Sequence, residues 1–161
     1  MITQQTVQEL FDYRDGKLYW KFSVSRNVKA GARAGTVNSN GYSSLKIKGK
    51  QYLTHRIIFL YHHNYVPEFL DHVNTNKLDN RIENLREATK EQNNRNCPKR
   101  KDNTSGIKGV HWDSATKKWL AKVAVGNGVQ KYLGRYDDIE LAQLVIEEAR
   151  DKYHKEFAKH E

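Results

Sequence analysis

Turn-forming residues interrupt this chain so often that no long element fits between them. Asp15-Gly16, Gly41, Gly49, Asn74-Thr75-Asn76, Asp113-Ser114 and Gly126-Asn127-Gly128 are all turn signals, because Gly, Asn and Asp tolerate the positive φ of tight turns. The segments between them alternate in polarity. In Tyr42-Ser43-Ser44-Leu45-Lys46-Ile47-Lys48 the alternation turns Leu45 and Ile47 to one face and Lys46 and Lys48 to the other. With 161 residues and 37% apolar content, such a chain builds small modules with modest cores.

The order of elements follows from local pattern. A short leader helix is expected around Thr6 to Phe11, then a hairpin over Tyr13 to Trp20 turning at Asp15-Gly16. Residues 13–54 read as one small lysine-studded antiparallel sheet. His55-Arg56-Ile57-Ile58-Phe59-Leu60-Tyr61-His62-His63 has apolar residues too closely set for a half-exposed strand and reads as a buried helix ending before Pro67. Leu70 to Val73 and Lys77 to Leu78 read as two short strands about the Asn74-Thr75-Asn76 turn. Thr89-Lys90-Glu91-Gln92 is a capping box, which puts Asn93 on the first turn of a helix.

Residues 97–105 combine Pro98, a basic triplet and turn formers, and read as a linker. Three strands follow, within Gly109 to Trp112, Lys118 to Val125 and Val129 to Tyr136. Ile139, Ala142, Ile146, Ala149, Tyr153 and Phe157 then recur at intervals suited to a helix that covers the sheet with one apolar stripe. The expected fold class is α+β: an N-terminal antiparallel sheet over 1–51, a central ββα finger over 52–96, and a C-terminal three-stranded antiparallel sheet packed on one helix over 106–161.

Charge is distributed unevenly along the chain. Lys and Arg outnumber Asp and Glu by ten to four over residues 1–70 and by nine to two over 98–136, against five of each over 71–97 and four to eight over 137–161. Two basic surfaces flanking a neutral segment suit a polyanion held on both sides of a reacting group. The single Cys97 excludes an internal disulfide and a thiolate zinc clasp. No apolar run approaches the roughly 20 residues that span a bilayer, and Met1 to Gln5 carries no secretory pattern, so a soluble cytoplasmic protein without membrane contact is expected.

The neutral segment carries the chemistry. Asp71-His72, eleven residues, Asn84, eight residues and Asn93 supply one carboxylate, one imidazole and two amides. Adjacent acid and imidazole can divide labour, the carboxylate taking a hard cation and the neutral imidazole accepting a proton from water. The run Leu70 to Leu85 resembles the HNH endonuclease family, especially bacteriophage members of the homing or nicking type, over roughly residues 52–96. The resemblance implies a ββα-metal finger, His72 as general base, Asp71 and Asn93 as ligands of Mg²⁺ or Mn²⁺, and Asn84 as the residue that ties the loop. It implies cleavage of DNA to 5′-phosphate and 3′-hydroxyl ends, in a phage-infected bacterial cell. Asn76 and Asn80 read as turn formers.

Residues 106–157 resemble the plant ethylene-response-factor DNA-binding domain of the APETALA type, through Gly106-x-x-Gly109-Val110-x-Trp112, Lys118-Trp119-x-Ala121 and Tyr132-Leu133-Gly134-x-Tyr136. The resemblance implies a sheet that enters the major groove of double-stranded DNA. Lys108, His111, Lys118, Lys122, Lys131 and Arg135 are candidate contacts there, with Trp112, Trp119 and Tyr132 as candidate stacking or methyl-contacting partners, although some of these aromatics must be core and Trp119 reads first as core. Lys46, Lys48, Arg56, Arg81 and Arg95 are candidates elsewhere. Lysine offers a point charge where arginine offers a planar fork, so looser base reading is expected. A catalytically inactive DNA-binding regulator and a structure- or RNA-directed nuclease fit the same residues. Target sequence, monomer or homodimer, and one strand or two are left open.

Overall fold

The structure, a computed structural model, describes residues 2–96 and 102–158 apart from the side chains of Arg95, Asn96 and Glu156. Cys97 and most of the basic part of the expected linker lie outside the described residues. The chain forms two compact units, Met1–Ala88 and Thr89–Glu161.

In the first unit the helix begins earlier than the sequence pattern predicts. α1 spans Gln4–Leu10 because the Thr3 hydroxyl accepts the Thr6 N–H at 3.3 Å and caps it. β1 (Phe11–Arg14) and β2 (Lys17–Trp20) pair antiparallel across Asp15 and Gly16, both at positive φ. Two three-stranded sheets replace the single one expected over 13–54. β3 (Arg33–Ala34) joins β2, whereas β4 (Thr36–Val37), β5 (Ser43–Ile47) and β6 (Lys50–Leu53) form the other sheet. Gly35, at φ +97°, breaks the chain between them. A Cβ there would lie 2.9 Å from Ser43 Oγ and 3.0 Å from Thr54 Oγ1, so the close approach also requires glycine.

α2 (Thr54–His63) is the centre of this unit, with Ile57, Ile58, Phe59 and Leu60 all buried. It packs with α1, β5 and β6 around Val7, Phe11, Leu18, Leu45 and Ile47. Each such side chain contributes roughly 1.5–3 kcal/mol by leaving water. The helix stops at Asn64, which takes the left-handed conformation and donates its N–H to Leu60 O at 3.1 Å.

β7 (Phe69–His72) pairs antiparallel with β8 (Leu85–Ala88), in a register that sets Asp71 opposite Arg86 and His72 opposite Leu85. The strand expected at Lys77-Leu78 is instead a turn in the loop between them. Side chains impose that loop: Asn74 Oδ1 accepts the Asn76 N–H at 2.9 Å and Asn76 Oδ1 the Leu78 N–H at 3.1 Å. Such local bonds offer the backbone a closed turn in place of a ladder.

The second unit opens with α3 (Lys90–Asn96), where the capping box is formed in both directions: Thr89 N donates to Gln92 Oε1 at 2.7 Å and Gln92 N to Thr89 Oγ1 at 3.2 Å. β9 (Val110–Asp113), β10 (Lys118–Gly126) and β11 (Val129–Tyr136) make an antiparallel sheet with β10 central. α4 (Ile139–His154) is capped by Asp138 and buries Ala142, Ile146 and Ala149 against Val110, Ala121 and Val123. Phe157, the last residue of the expected stripe, is buried just beyond α4 in a 3₁₀ turn. Among the described residues no helix is long and apolar enough to cross a membrane.

Candidate active site

β7 delivers Asp71 and His72, and the loop that follows delivers Asn80 and Asn84. All four are buried, between 3% and 7% exposed. Polar groups at such depth must be bonded, and the bonds define the site. Arg86 grips Asp71 from the facing strand, donating through Nε and Nη2 to Oδ2, both at 3.1 Å. His72 Nε2 lies 2.9 Å from Asn80 Oδ1.

Asn84 closes the loop. Its Nδ2 donates to Asp79 O at 2.7 Å and to Asn74 Oδ1 at 2.9 Å, while its Oδ1 accepts the Asn74 N–H at 3.0 Å. Arg81 bonds Asp79 through Nε and Nη2, both at 2.8 Å, and this fork holds the Asp79 carboxyl well below the usual carboxylate range. The first hairpin braces the same loop. Tyr13 Oη accepts the Ile82 N–H at 3.1 Å, and a Cβ on Gly16 would lie 2.7 Å from Arg81 N and 2.9 Å from the Asn80 carbonyl carbon.

A ring cluster backs His72. The His55 ring on α2 stands edge-on to it with centroids 5.0 Å apart, and Tyr42 lies 5.4 Å from His55 and 6.2 Å from His72. Burial, reinforced by the neighbouring His72 and Arg56, lowers the His55 pKa from 6.5 to about 3 and keeps the ring neutral. His62 and His63 pack separately, against Tyr13 at 4.6 Å and Phe59 at 4.3 Å, and do not converge on one point.

Asp71 belongs to the first unit and Asn93 to the second. Asn93 is half-buried on α3, and its N–H donates to Thr89 O at 2.9 Å. Each side chain taken by itself carries oxygen, the donor atom that a hard cation takes. Among the described residues no group of three or more His, Cys, Asp or Glu could enclose a metal.

The basic candidates separate by what they touch. Lys46 and Lys48 are exposed, on β5 and in the turn after it. Arg56 donates to Pro67 O at 2.8 Å and Glu68 O at 3.2 Å, clamping the segment that leads into β7. Arg81 is engaged with Asp79 as above. The Arg95 side chain lies outside the described residues.

In the second unit cross-strand pairing decides the faces. Val110, Ala121 and Val123 point to α4, so Lys118, Lys122, His111, Arg135 and Tyr132 share the opposite face. There Arg135 donates to Asp113 Oδ2 at 2.8 Å and stacks over Tyr132 at 5.6 Å, while Lys118 pairs with Asp137 at 3.0 Å. Lys131 lies opposite Val123 and bonds the Tyr153 hydroxyl of α4 at 2.8 Å, on the helix side. Trp119 and Trp112 also pair on that side, centroids 5.0 Å apart, with Trp119 packed on the core. Lys108 is half-buried in the loop before β9.

Four contributors have no sequence signal for their part in the site. Arg86 matters through the β7–β8 register, Asn80 through its bond to His72, and Tyr13 with Gly16 through contact with a distant loop. An Asp-Gly turn looks alike whether or not anything packs on it.

Comparison with known proteins fits this geometry. The HNH endonuclease family profile matches residues 52–95. Protein 3.8 of Escherichia phage T7 is 31% identical over 91 residues, covering 56% of this chain and 74% of that protein. No solved structure matches the chain.

Proposed function

We propose, from the premise that the chain belongs to the HNH endonuclease family, that it is a divalent-metal-dependent endonuclease hydrolysing DNA phosphodiester bonds. The observation that carries this reading is Asp71 beside His72 on one buried strand, each side chain held by its own partner, Arg86 and Asn80. Oriented carboxylate and imidazole in a bonded hairpin are what water activation beside a cation requires.

In this reading His72 takes the proton from the water that attacks phosphorus. Asp71 and Asn93 would hold Mg²⁺ or Mn²⁺ through oxygen, and Arg86 fixes the Asp71 carboxylate. The ion, when bound, supplies charge neutralisation at the phosphate and at the departing 3′ oxygen. Asn84 keeps the loop in shape and is not itself in contact with the reacting atoms.

Double-stranded DNA is the proposed substrate. The second unit serves as an ethylene-response-factor-like DNA-binding domain, supported by its three strands, its single covering helix and the basic residues on the face away from α4. Lys122, His111 and Arg135 on that face meet DNA, and Lys46 and Lys48 offer exposed charge in the first unit. The homing-type character belongs to the same proposal. A monomer with one site most simply makes a nick, and a dimer could break both strands.

The test is cleavage of supercoiled DNA by purified protein with Mg²⁺ or Mn²⁺. His72→Ala is expected to lose about 10²–10⁴-fold in rate, the usual worth of a general base, while DNA binding persists. Equal cleavage by both proteins would remove His72 from the mechanism. Absence of metal-stimulated cleavage by the wild type would leave the binding function alone.

A further inference from the structure

We infer that Asn80 is a positioning residue that fixes the proton of His72 on Nε2 and thereby presents the lone pair of Nδ1 as the base. This rests on the nuclease reading above. His72 Nε2 and Asn80 Oδ1 are 2.9 Å apart, and the two residues are 5% and 3% exposed. An amide oxygen only accepts, so the nitrogen facing it carries hydrogen. A neutral imidazole has one N–H, and the other nitrogen is then the proton acceptor.

Asn80 differs from the other amides of its loop, Asn74, Asn76 and Asn84, whose side chains bond to one another, to Asp79 and to the loop backbone. Asn74 Oδ1 and Asn76 Oδ1 turn back to backbone N–H groups two residues on, at 2.9 and 3.1 Å. That is how asparagine shapes turns. Asn80 Oδ1 instead reaches across the loop to a side chain on β7.

The backbone on both sides of Asn80 is held independently. Asp79 O accepts from Asn84 Nδ2 at 2.7 Å, the Asp79 carboxylate is forked by Arg81, and the Ile82 N–H donates to Tyr13 Oη at 3.1 Å. Gly16 is packed so closely that an added Cβ would lie 2.9 Å from the Asn80 carbonyl carbon. Turn geometry is therefore secured without the Asn80 side chain, which leaves the imidazole as its business. His55, at 5.0 Å, and Tyr42, at 6.2 Å, pack beside the His72 ring. The partner of one imidazole nitrogen commonly sets the tautomer at the other.

The experiment is nitrogen-15 NMR of the imidazoles in the full chain, combined with single-turnover cleavage and DNA-binding measurements. Wild type is expected to show His72 as the Nε2–H tautomer. Asn80→Leu, similar in size but without an acceptor, should lose that preference and slow cleavage about 10–100-fold with DNA affinity unchanged. Asn80→Asp, which keeps an acceptor, should restore both to within a few-fold.

A wild-type Nδ1–H tautomer overturns the inference, as would happen if the amide presented its nitrogen. So does a folded Asn80→Leu that cleaves like wild type. Should Asn80→Leu fail to fold, the wild-type spectrum and Asn80→Asp still decide. If wild type does not cleave DNA at all, the nuclease reading falls, while the spectrum still reports on the tautomer separately.

Discussion

His55 shows how one buried side chain carries a pH dependence. Its folded pKa is lowered from 6.5 to about 3 by burial and by the nearby His72 and Arg56. Between those values the unfolded chain binds a proton that the folded chain does not. Stability is therefore complete above the unfolded value and is lost as pH falls toward the folded one. From about pH 7.5 to about pH 5 the loss attributable to His55 is about 2 kcal/mol. Amide exchange of Ile57, Ile58 and Leu60 on α2 measures it, and His55→Gln should flatten the dependence. An unchanged slope would assign the acid sensitivity elsewhere. At this scale Asp71 and His72 were legible because they are adjacent in the sequence. Arg86 was not, since nothing local marks it as the residue that a strand pairing will set opposite Asp71.

Elements formed where the sequence made local promises. Asp15-Gly16 closes the first hairpin, Thr89 and Gln92 cap α3, and the alternation at Leu45 and Ile47 buries both residues. Of the two departures among the strands, one had a non-local cause and the other a local one. Gly35 splits one expected sheet into two because of what Ser43 and Thr54 bring near it, and Lys77-Leu78 is bent out of a strand by asparagine side chains. Gly16 joins local and distant demands, with φ +74° and backbone of the Asn80 loop against its α-carbon. Gly16→Ala is expected to destabilise the first unit by about 2 kcal/mol and to slow cleavage by displacing Asn80. Denaturant unfolding and single-turnover rates check the two effects. Wild-type values for both would mean that the hairpin only lies near the loop.

Across the whole molecule, formal charge of +9 gives a long-range attraction to nucleic acid, but the side chains that use it differ from face to face. Lys122 and Arg135 share the face away from α4, whereas Lys131 is bonded to Tyr153 beside the helix. Lys122→Gln with Arg135→Gln should therefore weaken DNA binding and reduce the dependence of log K on log salt by about one for each phosphate no longer neutralised. Lys131→Gln should change neither. Equal effects from all three would indicate a diffuse positive field without a defined face. Segment charge made a basic module legible, but it could not separate these lysines, because a bulge in β10–β11 shifts the register between Ala121 and Lys122.

The contact of Tyr13 and Gly16 with the loop that carries Asn80 bears on how such a gene can be recombined. A chimaera that joined residues 52–95 to a foreign leader would inherit Asp71 and His72 but not the hairpin that steadies their loop. Fitness among shuffled progeny would then track co-inheritance of β1 and β2 with the downstream segment, a linkage that no inspection of the nuclease motif by itself would anticipate.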